Sequence, residues 1–272
     1  MIDGGSNDPV TVKRTADDGS GEWARGLRRV TRSRTQARHV YDRTSRWHRF
    51  VEEPFERRAR TDGLDLLRVR PGERVLELGC GAGGALIALA AAVGPAGRVV
   101  GLDLSPGMIS EAAARLRRAG LADRAVLLVG DATSIPWPDV SFDALFMAFT
   151  LELFDTPEIP LVLAECRRVL LPGGRLAVVS LSRETPVGCA TRLYERLHDR
   201  FPATLDCRPI HPRLALEAAG FAQAQSRTIP LWGLRAEAVV AVRPSQSGSS
   251  AGAESGPLAG PRRTRRPNDA PR

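Results

Sequence analysis

The feature that most constrains this chain is the run Val75-Leu76-Glu77-Leu78-Gly79-Cys80-Gly81-Ala82-Gly83-Gly84, a short apolar segment with one acid that breaks into four glycines within six residues. Glycine lacks a Cβ, so it takes positive φ and lets a ligand approach the main chain closely. A glycine turn between a strand and a helix also points free N–H groups at whatever binds there. The residues that follow, Ala85 to Val93, are rich in helix formers and stop at Gly94-Pro95. The spacing therefore predicts strand, cofactor loop and helix. Two ligand classes meet it equally at this point, because Gly79, Gly81 and Gly84 also satisfy Gly-x-Gly-x-x-Gly, with Asp103 24 residues after Gly79 in the region where a dinucleotide fold keeps its ribose acid.

At 272 residues and 43% hydrophobic content the chain has ample material for a core. Its longest unbroken apolar stretch, Ala85–Val93, is nine residues, short of the ~20 a membrane helix needs. The start Met1-Ile2-Asp3-Gly4 lacks a basic and then apolar leader, so a cytoplasmic protein without a membrane span is expected. Cys80, Cys166, Cys189 and Cys207 are widely separated and form no Cys-x-x-Cys pair, so reduced thiols are expected, with no metal site. The net charge of +8 is carried mostly by the ends: residues 1–40 hold eight Arg or Lys against five acids, and residues 244–272 hold five against two. A nucleic-acid enzyme would place that charge on the folded face that meets phosphates, so nucleic acid is not the expected partner.

Composition divides the chain into three parts. Residues 1–39 form a basic tail and 244–272 a tail of Pro, Gly, Ser and Arg, both expected to be disordered. Between them, strand-like and helix-like runs alternate. Helical character through Val51–Leu67 precedes a strand at Arg74–Leu78, and a second strand follows the loop helix at Arg98–Asp103. Ser105 and Pro106 supply an N-cap and a first-turn proline for a helix closed by Gly120. Strands at Ala125–Val129, Phe142–Phe149 and Arg175–Leu181 enclose a helix at Pro157–Leu171 and the turn Leu171-Pro172-Gly173-Gly174. Helices near Pro186–Arg200 and Pro212–Ala219 lead to strands Phe221–Ile229 and Leu234–Val242, joined by Pro230-Leu231-Trp232-Gly233. The expected fold class is α/β: a doubly wound, seven-stranded, mostly parallel sheet with a C-terminal antiparallel hairpin.

The set Val75–Gly84, Gly101-Leu102-Asp103-Leu104-Ser105-Pro106-Gly107-Met108, Gly130-Asp131-Ala132, Phe142-Asp143-Ala144 and Arg168–Leu176 resembles the class I S-adenosylmethionine-dependent methyltransferases. It looks most like the methyltransferase type 11 subgroup that includes the ubiquinone/menaquinone C-methyltransferases, and Tyr41-Asp42-Arg43 is similar to their entry segment. The resemblance covers about 40–243 and implies a Rossmann-like fold with S-adenosyl-L-methionine as cofactor. It also implies roles for particular residues. The backbone of Gly79, Cys80, Gly81 and Gly83 would lie against the methionine part, with Glu77 facing its ammonium. Asp103 would take both ribose hydroxyls with Leu104 next to it among the cofactor contacts, Met108 would pack on the adenine, and Asp131 with the N–H of Ala132 would read its edge. Ala148 and Phe149 would pass beneath the cofactor. A dinucleotide-binding oxidoreductase explains neither Glu77 nor Gly130-Asp131-Ala132, and a non-catalytic S-adenosylmethionine-binding module on this fold is the other alternative.

Methyl transfer needs alignment of acceptor and methyl group and exclusion of water. It requires no protein nucleophile, and no catalytic residue is singled out. Tyr41, His48, His198, His211 and Glu152 are the candidate bases for a phenol-like acceptor. Met147-Ala148-Phe149-Thr150-Leu151 lacks the Asn/Asp-Pro-Pro-aromatic motif of amino-methylating relatives of this fold, and Thr150-Leu151-Glu152-Leu153 departs from the Gly-Leu-Arg-Asn of the quinone enzymes, as does Ala82 from their threonine. The expected acceptor is a small apolar or aromatic molecule, quinone-like types included, under a lid formed by 40–60 and 183–212.

Overall fold

The computed structural model describes residues 21–27, 29–30, 53–183, 188–200, 207–231 and 233–245. Short apolar runs become strands β1 (Arg74–Leu78), β2 (Arg98–Asp103), β3 (Ala125–Val129), β4 (Phe142–Ala148), β5 (Leu170–Leu181), β6 (Ala222–Leu231) and β7 (Leu234–Val242). They form one seven-stranded sheet in the order β3-β2-β1-β4-β5-β7-β6. The first five strands pair in parallel, while β7 pairs antiparallel to both β5 and β6. The order reverses between β1 and β4, so a crevice opens beyond their C-terminal ends, where open α/β sheets bind ligands.

The helices between them are α1 (Glu53–Leu67), α2 (Gly84–Val93), α3 (Pro106–Arg118), α4 (Ile159–Val169), α5 (Cys189–Arg200) and α6 (Pro212–Ala218). Because successive strand side chains point to opposite faces, each strand feeds two cores. Leu76, Leu78, Leu145, Met147 and Val178 pack against α4 and α6. Val75, Ala144, Phe146, Ala177 and Val179 pack against α1, α2 and α3. Helix α1 crosses β4, β5 and β7, and Gly63 is what brings it close: a Cβ there would strike the Val179 side chain and come within 3.3 Å of Phe146.

Several boundaries differ from the sequence expectations. The helix expected at Pro157–Leu171 starts only at Ile159, after a 3₁₀ turn at Thr156–Glu158 set by a capping box of Asp155 and Glu158. It ends at Val169, because Leu170 is drawn into the sheet opposite Phe142. The Pro172-Gly173-Gly174 turn is absorbed within β5, with a register shift between Phe142 and Ala144 and Gly173 at φ 78°. Strand β4 stops at Ala148, since Phe149 turns to φ 52°.

Part of the expected N-terminal tail is packed on the fold. Trp23 and Ala24 are buried in the core on the α4 side and lie against α6, and the Arg29 guanidinium forks onto Asp155 at 2.6–2.9 Å. A large indole recovers apolar burial that the surrounding polar composition conceals. Residues 1–20, 31–52 and 246–272 lie outside the described residues, as do the expectations of disorder made for them. No helix among the described residues is long and apolar enough to cross a membrane.

Candidate functional site

The glycine loop leaves β1 at Gly79, whose N–H and that of Cys80 both donate to the Leu102 carbonyl on β2, at 2.8 and 3.1 Å. Gly79 sits at φ 65°, and a Cβ there would collide with the Thr150 side chain. Gly81, at φ 50°, is the contrast: nothing lies within 4 Å of where its Cβ would stand. The loop is thus closed on the side of β4 and open at Gly81.

Asp103 ties three strand ends together. Its Oδ2 accepts from the Gly81 N–H at 2.8 Å and its Oδ1 from the Ser105 N–H at 2.9 Å, while its carbonyl accepts from Gly130 at 2.9 Å. Ser105 caps α3 by accepting from the Met108 N–H at 3.2 Å. Met108 and Cys80 are buried, yet both stand outside the two cores. Burial pushes the Cys80 thiol well above its usual range, with Glu77 and Asp103 adding to the effect, so it is an uncharged packing group rather than a nucleophile. After β3, Asp131 Oδ1 accepts from both the N–H and the hydroxyl of Thr133, at 2.9 and 2.8 Å. Ala132 beside it is buried.

Glu77 is the anomaly of the site. It is 4% exposed on β1, among the apolar side chains on the α1 and α2 face, and its Oε2 has no hydrogen-bond partner. Burial drives its carboxyl well above the ordinary range; Arg60 pulls it back and Asp103 adds to the rise. Arg60 comes from α1, and its guanidinium carbon lies 2.9 Å from where a Cβ on Gly84 would stand. This arginine was not apparent in the sequence, since nothing local distinguishes it from its neighbours in Arg57-Arg58-Ala59-Arg60. A buried, uncompensated acceptor beside a cation and an open main-chain loop is a receptor for a group bearing an ammonium and an anion together.

On the β4 and β5 side, Phe149 is held in a left-handed conformation that bulky residues avoid, its N–H donating to Val179 at 2.7 Å. Ala148, before it, is partly exposed. Glu152, one of the candidate bases, is wholly buried, with its Oε1 accepting from the Leu181 N–H at 3.1 Å. Close by is Arg208, 2% exposed, whose guanidinium donates to the carbonyls of Glu152 and Phe154 and to the Thr156 hydroxyl at 2.7–3.2 Å. Together they pin the segment after β4. His211 is half-buried and bonded to the backbone of Arg25 and Arg183; burial and the Arg183 charge hold its pKa below the usual value. His198 lies partly buried on α5. Tyr41 and His48 fall outside the described residues, and no metal-binding cluster occurs among those described.

A family profile described as a methyltransferase domain matches residues 75–174, from β1 through the turn inside β5. Over 163 residues the chain is 34% identical to a 2-phytyl-1,4-naphtoquinone methyltransferase of Synechococcus elongatus, covering 58% of this chain and 68% of that protein. It is 36% identical over 129 residues to a demethylmenaquinone methyltransferase of Geobacillus sp., covering 47% of this chain and about half, 54%, of that protein's length. Among solved structures, a SAM-dependent methyltransferase from Aquifex aeolicus shares the fold with a TM-score of 0.52 at 23% identity, over 78% of this chain and 98% of that one. The [4+2]-cyclase SpnF does so with a TM-score of 0.64 at 20% identity, over 79% and 98%. The oxidoreductase alternative gains no support from these matches. The glycine loop, the acid at the end of β2 and the antiparallel β7 therefore stand in a known company: the chain belongs to the class I S-adenosylmethionine-dependent methyltransferases.

Proposed function

We propose that Glu77 and Arg60 together read the amino-acid end of S-adenosylmethionine, and that the chain methylates carbon or oxygen of a small apolar or aromatic acceptor of the quinone kind. The observation that carries the first part is the unpartnered Glu77 Oε2, buried on β1, the strand that runs into the open glycine loop. An ammonium would supply the missing donor, and the Arg60 guanidinium would pair with the neighbouring carboxylate. Gly79, Cys80, Gly81 and Gly83 would present backbone to the same end, Asp103 and Leu104 would hold the ribose, and Met108, Asp131 and Ala132 would flank and read the adenine. Ala148 and the strained Phe149 would shape the floor.

When bound, the cofactor supplies an electrophilic methyl group; what the chain contributes is orientation and dryness. The apolar faces of Met108, Phe149 and Cys80 exclude water, and Asp103 is fixed by two N–H donors before any ligand arrives. The second part of the proposal is supported by the names of the relatives, both quinone methyltransferases. In this reading the catalytic unit is 40–243 with residues 21–27 and 29–30 packed on it, acting in the cytoplasm.

Calorimetry with S-adenosylmethionine and S-adenosylhomocysteine tests the cofactor assignment: binding to both is expected, and its loss in Glu77→Gln and Arg60→Gln locates it. Unchanged affinity in both variants would show that the amino-acid end sits elsewhere. Incubation with labelled donor and a reduced 1,4-naphthoquinone tests the acceptor, with label expected on the quinol.

A further inference from the structure

Helix α5 is built inside out. Its inward face carries polar groups: Thr191 and Glu195 are buried, and Tyr194, whose ring packs against the core on the α1 side, donates its hydroxyl to the Cys207 carbonyl at 2.8 Å. Glu195 accepts from Arg183 Nε at 2.9 Å, just beyond the end of β5. The outward face carries Leu193 and Leu197, one turn apart and 58% and 43% exposed, with Cys189 and Ala190 exposed beside them. Arg192 and Arg196 are exposed along one edge of the same face. A surface helix of a globular protein shows the opposite arrangement, with its apolar stripe toward the core.

An apolar stripe edged by arginines is the composition of a helix that lies in the plane of a bilayer, its leucines in the acyl boundary and its cations on the headgroup phosphates. Of the two acids in this helix, Glu195 and Asp199, the first is turned inward and neutralised by Arg183. An antiparallel contact between two copies through this face would instead bring the Arg192 and Arg196 edges of like charge toward each other. We propose that α5 docks the protein on an anionic lipid surface, with Leu193 and Leu197 entering it and Arg192 and Arg196 taking lipid phosphates. One consequence rests on the acceptor reading above: an apolar acceptor dissolved in that bilayer would reach the cleft from the β5 side, because α5 is fastened to Arg183, two residues beyond the end of β5.

The test is co-sedimentation of the full chain with vesicles of mixed phosphatidylglycerol and phosphatidylcholine, and with phosphatidylcholine alone, in the absence of cofactor and acceptor. The protein is expected to sediment with the mixed vesicles and to be released by salt. Leu193→Glu with Leu197→Glu should weaken binding by at least about tenfold, and Arg192→Gln and Arg196→Gln by about fivefold each on the mixed vesicles only. All four positions are exposed, so circular dichroism and S-adenosylmethionine affinity should be unchanged in these variants. The proposal is overturned if the parent protein stays in the supernatant with mixed vesicles, or if the double leucine variant sediments like the parent. A concentration-dependent dimer that the same variant abolishes, without vesicle binding, would make the face a contact between copies. Because the vesicle arm uses neither cofactor nor acceptor, its failure is distinct from failure of the methyl-transfer assignment.

Discussion

The Gly81 N–H donates to Asp103 Oδ2 at 2.8 Å, so the acid that ends β2 holds the loop that begins after β1. The other carboxylate oxygen is held by Ser105, the cap of α3. Binding loop and ribose acid are thereby one preorganised unit. Asp103→Asn places an amide donor against one of these two N–H groups. We expect it to cost about 1–3 kcal/mol of stability from the donor left unsatisfied, measured by urea unfolding, and to weaken S-adenosylmethionine at least tenfold, measured by calorimetry. Unchanged values for both would separate Asp103 from the site.

Glu77 predicts a trade between stability and binding. Its folded carboxyl holds a proton to higher pH than an unfolded one does, because burial opposes the charge. Its contribution to stability is therefore fully present below the unfolded pKa of about 4.3 and is lost as pH rises through the raised folded value. Glu77→Gln should remove that dependence and be more stable than the parent at neutral pH by about 1 kcal/mol or more. It should also lose cofactor affinity by about tenfold to a hundredfold, the worth of a charged hydrogen bond. In the parent, affinity should rise with pH as Glu77 ionises, which titration calorimetry in buffers of different ionisation enthalpy would detect as proton release.

Gly79 is under two constraints at once, a φ of 65° and the Thr150 side chain where a Cβ would stand. Gly79→Ala should destabilise by about 2–4 kcal/mol, combining backbone strain and overpacking. Adding Thr150→Ser should recover only part of this, since the φ penalty remains. Thermal melts of the single and double variants give the partition.

Asp155 fastens the N-terminal segment. Burial raises its pKa, but the Arg29 guanidinium and the N–H groups of Val30 and Thr156 more than offset this and leave the carboxyl below its usual range. Its contribution is present above the unfolded value of about 3.9 and is lost as pH falls through the folded one. Asp155→Ala removes an N-cap worth about 1–2 kcal/mol and frees residues 21–30. Limited proteolysis should then cleave near Trp23 while the remainder of the fold stays protected.

What the sequence by itself determined was whatever is encoded over a few neighbouring residues. The limits of β1, β2, β3 and β7, the Ser105 cap and the loop at Gly79–Gly84 follow from apolar periodicity, cap chemistry and glycine's backbone freedom, all of which act locally. Tertiary structure alone decided which charges meet. The Arg60 charge acts on Glu77 across 17 positions of sequence because α1 settles on the sheet, where Gly63 lets it come close. Glu152 is buried where Arg208, 56 residues on, folds over the same segment. The outward leucines of α5 carry an amphipathic pattern that reads the same with either face buried, and the Arg183–Glu195 pair turned the polar face inward. Long-range pairing and burial set these outcomes, and a residue's neighbours in sequence carry no record of its partners in space.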